Sequence, residues 1–221
     1  MDVLAILVGQ LRAVERLYGD AAGVFAERKR KIEAGEPPYE PPPFDPDYDD
    51  TEPPFLTEWL EAEEFQDIIG QACISMVHSC LKDYLDGVIE RSGIQLQAEK
   101  YISQRRNRVK GESWLGRYIA LFAEVYGIDW TQSPVATADL EEINLARNDI
   151  QHGRPALGLS RYQSEQHANR FPSGLFVSEF DRGHRIKHFT PFYTQIHVSA
   201  DALREAIQRV ESFCAFIENY H

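Results

Sequence analysis

The stretch TEWLEAEEFQDIIGQACISMVHSCLKDYLDGVIERS, residues 57–92, decides the fold class of this chain. Apolar side chains recur along it every three or four positions, which is the period of a helix buried on one side. Thr57 can cap the first turn, and Glu58 and Glu61 suit the positive end of the helix dipole. Gly93 ends the pattern. The sequence therefore predicts a long helix here and an all-α domain around it.

The same spacing predicts further helices on both sides of this stretch. Ser113 and Ser199 stand at positions where a helix N-cap is expected, and Gly127 stands where a helix should stop. The predicted helices cover residues 2–35, 95–107, 113–126, 134–152 and 199 to the C-terminus. We expect an N-terminal helix over 1–35, a loop over 36–56 and a helical domain over 57–221.

The net charge of −12 is concentrated in one segment. Residues 36–67 hold twelve acidic residues and no lysine or arginine, so the remaining chain sums to zero. Residues 36–55 also hold eight of the twelve prolines, which predicts an extended or disordered acidic loop. Three interpretations stay open for the acidic segment: a solubilising linker, a polyanion mimic that covers a basic RNA groove, or a docking strip for a basic partner.

Residues 157–198 differ in composition from the rest. Glycines and aromatic residues increase, and the segments 174–180 and 185–190 flank a turn-like Asp181-Arg182-Gly183. This pattern predicts a β-hairpin inserted between helices at about 157–198.

Cysteine usage and hydropathy indicate the compartment. The three cysteines are an odd number set among apolar residues, which favours packed, reduced thiols in the cytoplasm. No segment approaches eighteen consecutive apolar residues, so no membrane span is expected.

The chemistry-bearing motif is Arg147-Asn148-Asp149-Ile150-Gln151-His152, at the end of a predicted helix. An imidazole titrates near neutral pH, so His152 can accept the proton of a ribose 2′-hydroxyl or donate one to the leaving oxygen. The guanidinium of Arg147 can stabilise charge on the phosphate, and Asn148 can orient the phosphate or the imidazole. These groups predict RNA cleavage to a 2′,3′-cyclic phosphate with no metal and no cofactor.

Basic residues near the motif indicate where RNA would lie. From 100 to 117 there are six basic residues against one acidic residue. Phosphate contacts are expected from Arg105, Arg106, Arg108, Lys110 and Arg154. A solvated surface loop is the competing interpretation of this cluster.

The motif resembles the R-x4-6-H motif of the HEPN (higher eukaryotes and prokaryotes nucleotide-binding) superfamily, in which a polar residue often follows the arginine. The resemblance covers about 57–155 and the last helix; the hairpin and the proline-rich loop lie outside the common core. It implies an HEPN-like helical bundle, a ribonuclease that works as a homodimer with the motif helices at the seam, and a toxin or anti-phage defence role with an antitoxin or defence-complex partner. Gly153-Arg154 replaces the tyrosine that often follows the histidine by two positions in toxins silenced by nucleotidyl transfer.

Two other functions fit the same sequence. One is a non-catalytic HEPN-like module that binds a partner protein through the acidic loop and the apolar helix faces. The other is a nucleotide-sensing subunit. Catalysis requires Arg147 and His152 to be exposed in a shared groove with basic rims, whereas a scaffold would bury Arg147 or pair it with an acidic residue.

Overall fold

The structure is a computed structural model that describes residues 2–41, 43, 52–152, 169, 171, 174–177 and 196–220. The side chain of His152 is outside this description. The described residues form six α-helices and no strand: α1 (Val3–Ala34), α2 (Leu56–Arg91), α3 (Gln95–Arg108), α4 (Trp114–Tyr126), α5 (Thr137–His152) and α6 (Ala200–Glu218). The all-α prediction is confirmed for this part of the chain.

Helices α1 and α2 form a long antiparallel pair. Phe25 stacks on Phe65 with ring centroids 5.0 Å apart, and at the opposite end Val3 packs directly against Gly87. The buried stripe of α1 consists of Val3, Leu7, Leu11, Val14, Tyr18 and Ala22. The three-to-four spacing of these residues is why α1 folds as an amphipathic helix.

The other helices assemble on this pair. Helix α6 packs against both α1 and α2, while α5 packs against α2 and α6. Trp130, in a short 3-10 helix before α5, stacks on Phe213 of α6 at 5.2 Å between ring centroids. The core therefore lies along α2. Helix α5 packs against α2 on the side where α3 and α4 also lie.

Most predicted helix ends are confirmed. The hydroxyls of Ser113 and Ser199 accept hydrogen bonds from the backbone N–H groups of Gly116 and Ala202, at 2.9 and 3.1 Å. Gly127 ends α4 with φ of 68°, a left-handed conformation that favours glycine.

Two details of the predicted helix starts are wrong. Helix α2 begins at Leu56, close to the predicted start near Thr57, but its cap is the left-handed Phe55, whose carbonyl accepts the first helical bond, and not Thr57. Helix α5 begins at Thr137 and not at residue 134. A 3-10 turn over Trp130–Gln132, capped by the carboxylate of Asp129, precedes it.

The predicted hairpin and acidic loop are not confirmed. Most of 157–198 lies outside the described residues, and within it residues 174–177 form a turn instead of the predicted strand. Of the loop, residues 36–41, 43 and 52–55 are described and none is helical. Residues 44–51, which carry four of its acidic side chains, lie outside the description.

An extended segment, residues 196–199, joins this region to α6 and lies on α2. The carboxylate of Asp67 accepts a hydrogen bond from the backbone N–H of Val198 at 3.2 Å and lies 2.9 Å from Nδ1 of His197. Tyr18 donates from its hydroxyl to the carbonyl of Val198 at 3.0 Å. A Cβ atom on Gly70 would lie 2.5 Å from Cβ of Val198, so this close approach requires glycine.

All three cysteines are free and buried, as the sequence predicted. Burial raises the pKa of Cys73, Cys80 and Cys214, which keeps these thiols protonated. Among the helices of the described residues, none is both long enough and apolar enough to span a bilayer.

Candidate functional site

Two of the three motif residues are described, and they touch each other. Arg147 and Asn148 lie in the last turns of α5, and both are partly buried. The Nη1 atom of Arg147 donates to Oδ1 of Asn148 at 3.0 Å, while Nε of Arg147 is buried without a hydrogen-bond partner among the described residues. His152 is the last residue of α5, one turn beyond Asn148. The helix therefore carries all three motif residues through its final turns.

A buried polar cluster lies one turn before the motif arginine. The amide oxygen of Asn144, a residue only 3% exposed, accepts a hydrogen bond from Nε1 of Trp114 at 2.7 Å and lies 3.3 Å from Nε2 of His78. The amide nitrogen of Asn144 donates to Glu141 at 3.4 Å, and Glu141 also accepts from the hydroxyl of Ser113. These contacts join α2, α4 and α5 at one point.

His78 of α2 is held in its neutral form. Burial and the positive charge of Arg147 lower the pKa of His78 to about 4, and Lys82 acts in the same direction, against the hydrogen bond to Asn144. The imidazole is 5% exposed and is therefore uncharged at pH 7. Arg147 lies one turn after Asn144, whose amide contacts this imidazole, so the motif arginine projects from the same side of α5 as that contact.

The tautomer of His78 follows from its neighbours. An indole N–H can only donate, so the atom of Asn144 that faces Trp114 must be the amide oxygen. The same oxygen faces Nε2 of His78, which must then carry the imidazole proton. The lone pair of the neutral ring is consequently on Nδ1.

Glu142, on α5, contacts α6 and the turn at 174–177. It is 2% exposed, lies 3.5 Å from Nη1 of Arg209 and accepts a hydrogen bond from the backbone N–H of Leu175 at 2.8 Å. The scaffold interpretation expects Arg147 to be buried or paired with an acid. Arg147 is partly buried, whereas the buried Glu142 contacts Arg209 of α6 and the turn at 174–177.

The predicted RNA-binding residues differ in how exposed their charges are and in whether an acidic residue pairs with them. Arg105 forms three hydrogen bonds to the carboxylate of Glu112, at 2.8–2.9 Å, so its charge is locally neutralised. Arg106, Arg108 and Lys110 are exposed at the end of α3 and just beyond it. Arg154 lies outside the described residues.

The start of α4 brings this basic segment towards α5. Ser113 and Trp114, which follow Lys110 after two intervening residues, contact Glu141 and Asn144 of α5. The basic end of α3 is therefore joined, through Ser113 and Trp114, to the buried cluster around Asn144.

Sequence reasoning missed His78, Trp114 and Asn144. A signal was present: His78 falls four positions after Ile74 and three before Leu81, both buried, and Asn144 directly follows the buried Ile143. A polar residue on an apolar stripe must find a partner when it is buried. Which residues become partners depends on how three helices pack, and the local spacing of residues does not specify that packing.

Comparison with family models, with curated proteins and with solved structures gave no match for this chain.

Proposed function

We propose that this chain is a metal-independent endoribonuclease that cleaves RNA by attack of the 2′-hydroxyl on the adjacent phosphate. Arg147 would bind the non-bridging phosphate oxygens and stabilise the charge of the pentacovalent state. His152 would transfer the proton, and Asn148 would orient the guanidinium. The products would be a 2′,3′-cyclic phosphate and a 5′-hydroxyl. The HEPN resemblance adds a toxin or anti-phage defence role.

The observation that carries this proposal is the state of Arg147. Arg147 is half-buried near the end of α5, and its guanidinium donates to a neutral amide, that of Asn148, at 3.0 Å. Bonding to a neutral amide leaves the positive charge of Arg147 available for an anion. The exposed Arg106, Arg108 and Lys110 add positive charge that can hold the flanking phosphates.

A homodimer would complete the chemistry. In-line cleavage profits from both a general acid and a general base, and the motif supplies one imidazole per chain. A two-fold interface places the same surface of each subunit face to face, so two copies of α5 could share one catalytic groove.

Cleavage of a labelled mixed-sequence RNA in excess EDTA tests the site. Arg147→Ala and His152→Ala should each lower the cleavage rate by at least about 100-fold, since each removes a transition-state contact or a proton-transfer group. Arg204→Ala is the control, because Arg204 is on the surface of α6 and pairs only with the exposed acids Glu15 and Asp201 among the described residues. Equal activity of all three variants would refute the site.

Mixing the two inactive variants tests the dimer. If the acid and base come from different subunits, a mixed dimer of Arg147→Ala and His152→Ala should cleave RNA at a rate that differs from that of either homodimer. A monomer by light scattering at the concentration of full activity would contradict the shared groove.

A non-catalytic interaction module is the second candidate, favoured by an apolar surface on the α1–α2 pair. Side chains there are 42–51% exposed, among them Ile6, Leu17, Ile68 and Met76. Met76 also borders an open groove of about 380 Å³ between the two helices. Exposed apolar side chains grouped in this way mark many protein-binding surfaces. If Met76→Asp and Ile68→Asp abolish the biological activity while RNA cleavage is undetectable, this candidate replaces the ribonuclease.

A further inference from the structure

We propose that His78 is a positioning residue for Arg147, whose Nε–H donates to Nδ1 of His78 when a phosphate occupies the guanidinium. This inference rests on the proposed function, because it assigns the bound phosphate to that same site. It adds a residue from α2, about 70 positions away in sequence, to a site otherwise built on α5.

The argument begins with an unpaired donor. Nε of Arg147 is buried and has no hydrogen-bond partner in the part of the chain that the structure describes, although a buried N–H of a charged group is costly to leave unpaired. Nη1 is already directed to Asn148. A guanidinium that binds phosphate through its Nη atoms is best fixed by an acceptor at Nε, since the five N–H groups are held in one plane.

An acceptor is available on the neighbouring helix. Asn144 fixes the imidazole proton of His78 on Nε2, so Nδ1 carries the lone pair. Burial and the charge of Arg147 lower the pKa of His78 to about 4, which keeps this lone pair free at neutral pH. Arg147 stands three residues after Asn144 on α5, so its side chain leaves the helix on the face that contacts His78.

The arrangement also excludes a simple alternative for His78. A general acid or base must reach the reacting oxygen, and an imidazole that is 5% exposed beneath Trp114 does not. A protonated His78 would place a second positive charge beside Arg147. The neutral ring instead serves as an acceptor that fixes the guanidinium without neutralising it.

Two isosteric variants separate this role from plain packing. In His78→Asn the amide oxygen can take the place of Nδ1, whereas in His78→Gln the amide nitrogen can take the place of Nε2 and keep the bond to Asn144. We expect His78→Asn to retain RNA cleavage within about threefold of the wild type and His78→Gln to lose at least tenfold in kcat. Thermal unfolding measured in parallel should rank the variants in the opposite order, because His78→Gln preserves the internal link.

The reverse ranking for cleavage, or equal losses in both variants, would overturn the inference and leave His78 as a packing residue. Ser79→Ala, an exposed neighbour on α2, is the control for a general effect on that helix.

A second readout does not require catalysis. The Nε–H resonance of Arg147 is followed by NMR while inorganic phosphate is added, in the wild type and in both variants. A downfield shift and slower exchange in the wild type and in His78→Asn, but not in His78→Gln, supports the inference even if no RNA is cleaved. Identical behaviour in all three proteins overturns it, whatever the cleavage assay shows.

Discussion

The indole nitrogen of Trp114 lies 2.7 Å from the amide oxygen of Asn144, and this bond joins the start of α4 to the middle of α5. Asn144 is 3% exposed and is also in contact with His78 of α2. Three helices therefore meet at a single amide, one turn before the motif arginine. The stability of this junction and the placement of the motif are consequently linked.

Removal of that amide should destabilise the fold. Asn144→Ala leaves the indole N–H of Trp114 and Nε2 of His78 without their acceptor, and each unpaired buried group costs about 1–3 kcal/mol. We expect the free energy of unfolding to fall by about 2–4 kcal/mol in urea titrations. Asn107→Ala, on the exposed side of α3, should change it by less than about 0.5 kcal/mol. Equal effects would contradict the assignment of Asn144 as a junction.

The sequence predicted the helices because their apolar periods and caps are local features. Ser113, Ser199 and Gly127 act where expected, since a cap depends on the few residues beside it. The predicted cap of α2 was wrong: the cap is Phe55 and not Thr57, and the ring of Phe55 contacts Tyr39 of the preceding segment.

The candidate site likewise has one part that local sequence patterns predict and another part that they do not. Arg147 and Asn148 were found from their spacing along one helix, which is a local pattern. The partners of the buried cluster come from α2 and α4, and Arg105 is neutralised by Glu112 across a turn. Those pairings depend on three-dimensional packing, which local sequence patterns do not specify.

Gly70 should be intolerant of a side chain. A Cβ atom there would lie 2.5 Å from Cβ of Val198 and 2.8 Å from its carbonyl oxygen. Gly70→Ala should therefore lower the melting temperature by separating residues 196–199 from α2, at a cost of about 1–3 kcal/mol.

Gly9→Ala is the matched control, because outside its own stretch of α1 no described atom lies within 4 Å of a Cβ atom built at this exposed position. It should stabilise the protein by about 0.5–1 kcal/mol through helix propensity. A higher melting temperature for Gly70→Ala would show that residues 196–199 do not rest on α2 as described.

The contact between His197 and Asp67 should make stability depend on pH. The hydrogen bond that His197 donates to the carboxylate of Asp67 raises the pKa of His197. The charges of Asp67 and Glu63 also raise this pKa, whereas burial and Lys29 lower it. A histidine whose pKa is raised in the folded state stabilises it fully below the unfolded value of about 6.5, and this contribution disappears as pH rises through the folded pKa.

Asp67→Asn isolates this effect, because the amide keeps an oxygen for the backbone N–H of Val198. The difference in unfolding free energy between wild type and variant should be largest near pH 6 and should shrink towards pH 9. His197 is 32% exposed on its side chain, so the difference will be smaller at high salt. A difference that grows with pH would contradict the charged pair.

The basic end of α3 should contribute to RNA binding unequally. Arg106→Ala and Arg108→Ala each remove an exposed cation, so each should lower the slope of log affinity against log salt by about 0.7 for a single strand. Arg105→Ala should change the slope less, because Arg105 is bound to Glu112. Fluorescence anisotropy with a non-cleavable 2′-deoxy oligonucleotide measures all three, and equal slopes would place the RNA elsewhere.

The measurement that tests the central claim most directly is the identification of product ends after RNA cleavage in EDTA by the purified wild type and His152→Ala. The account predicts 2′,3′-cyclic phosphate and 5′-hydroxyl ends from the wild type, and none from His152→Ala or from an RNA with 2′-deoxyribose at the cleaved position. Ends of the 3′-hydroxyl and 5′-phosphate type, or cleavage undiminished in His152→Ala, would contradict a site built on Arg147 and His152.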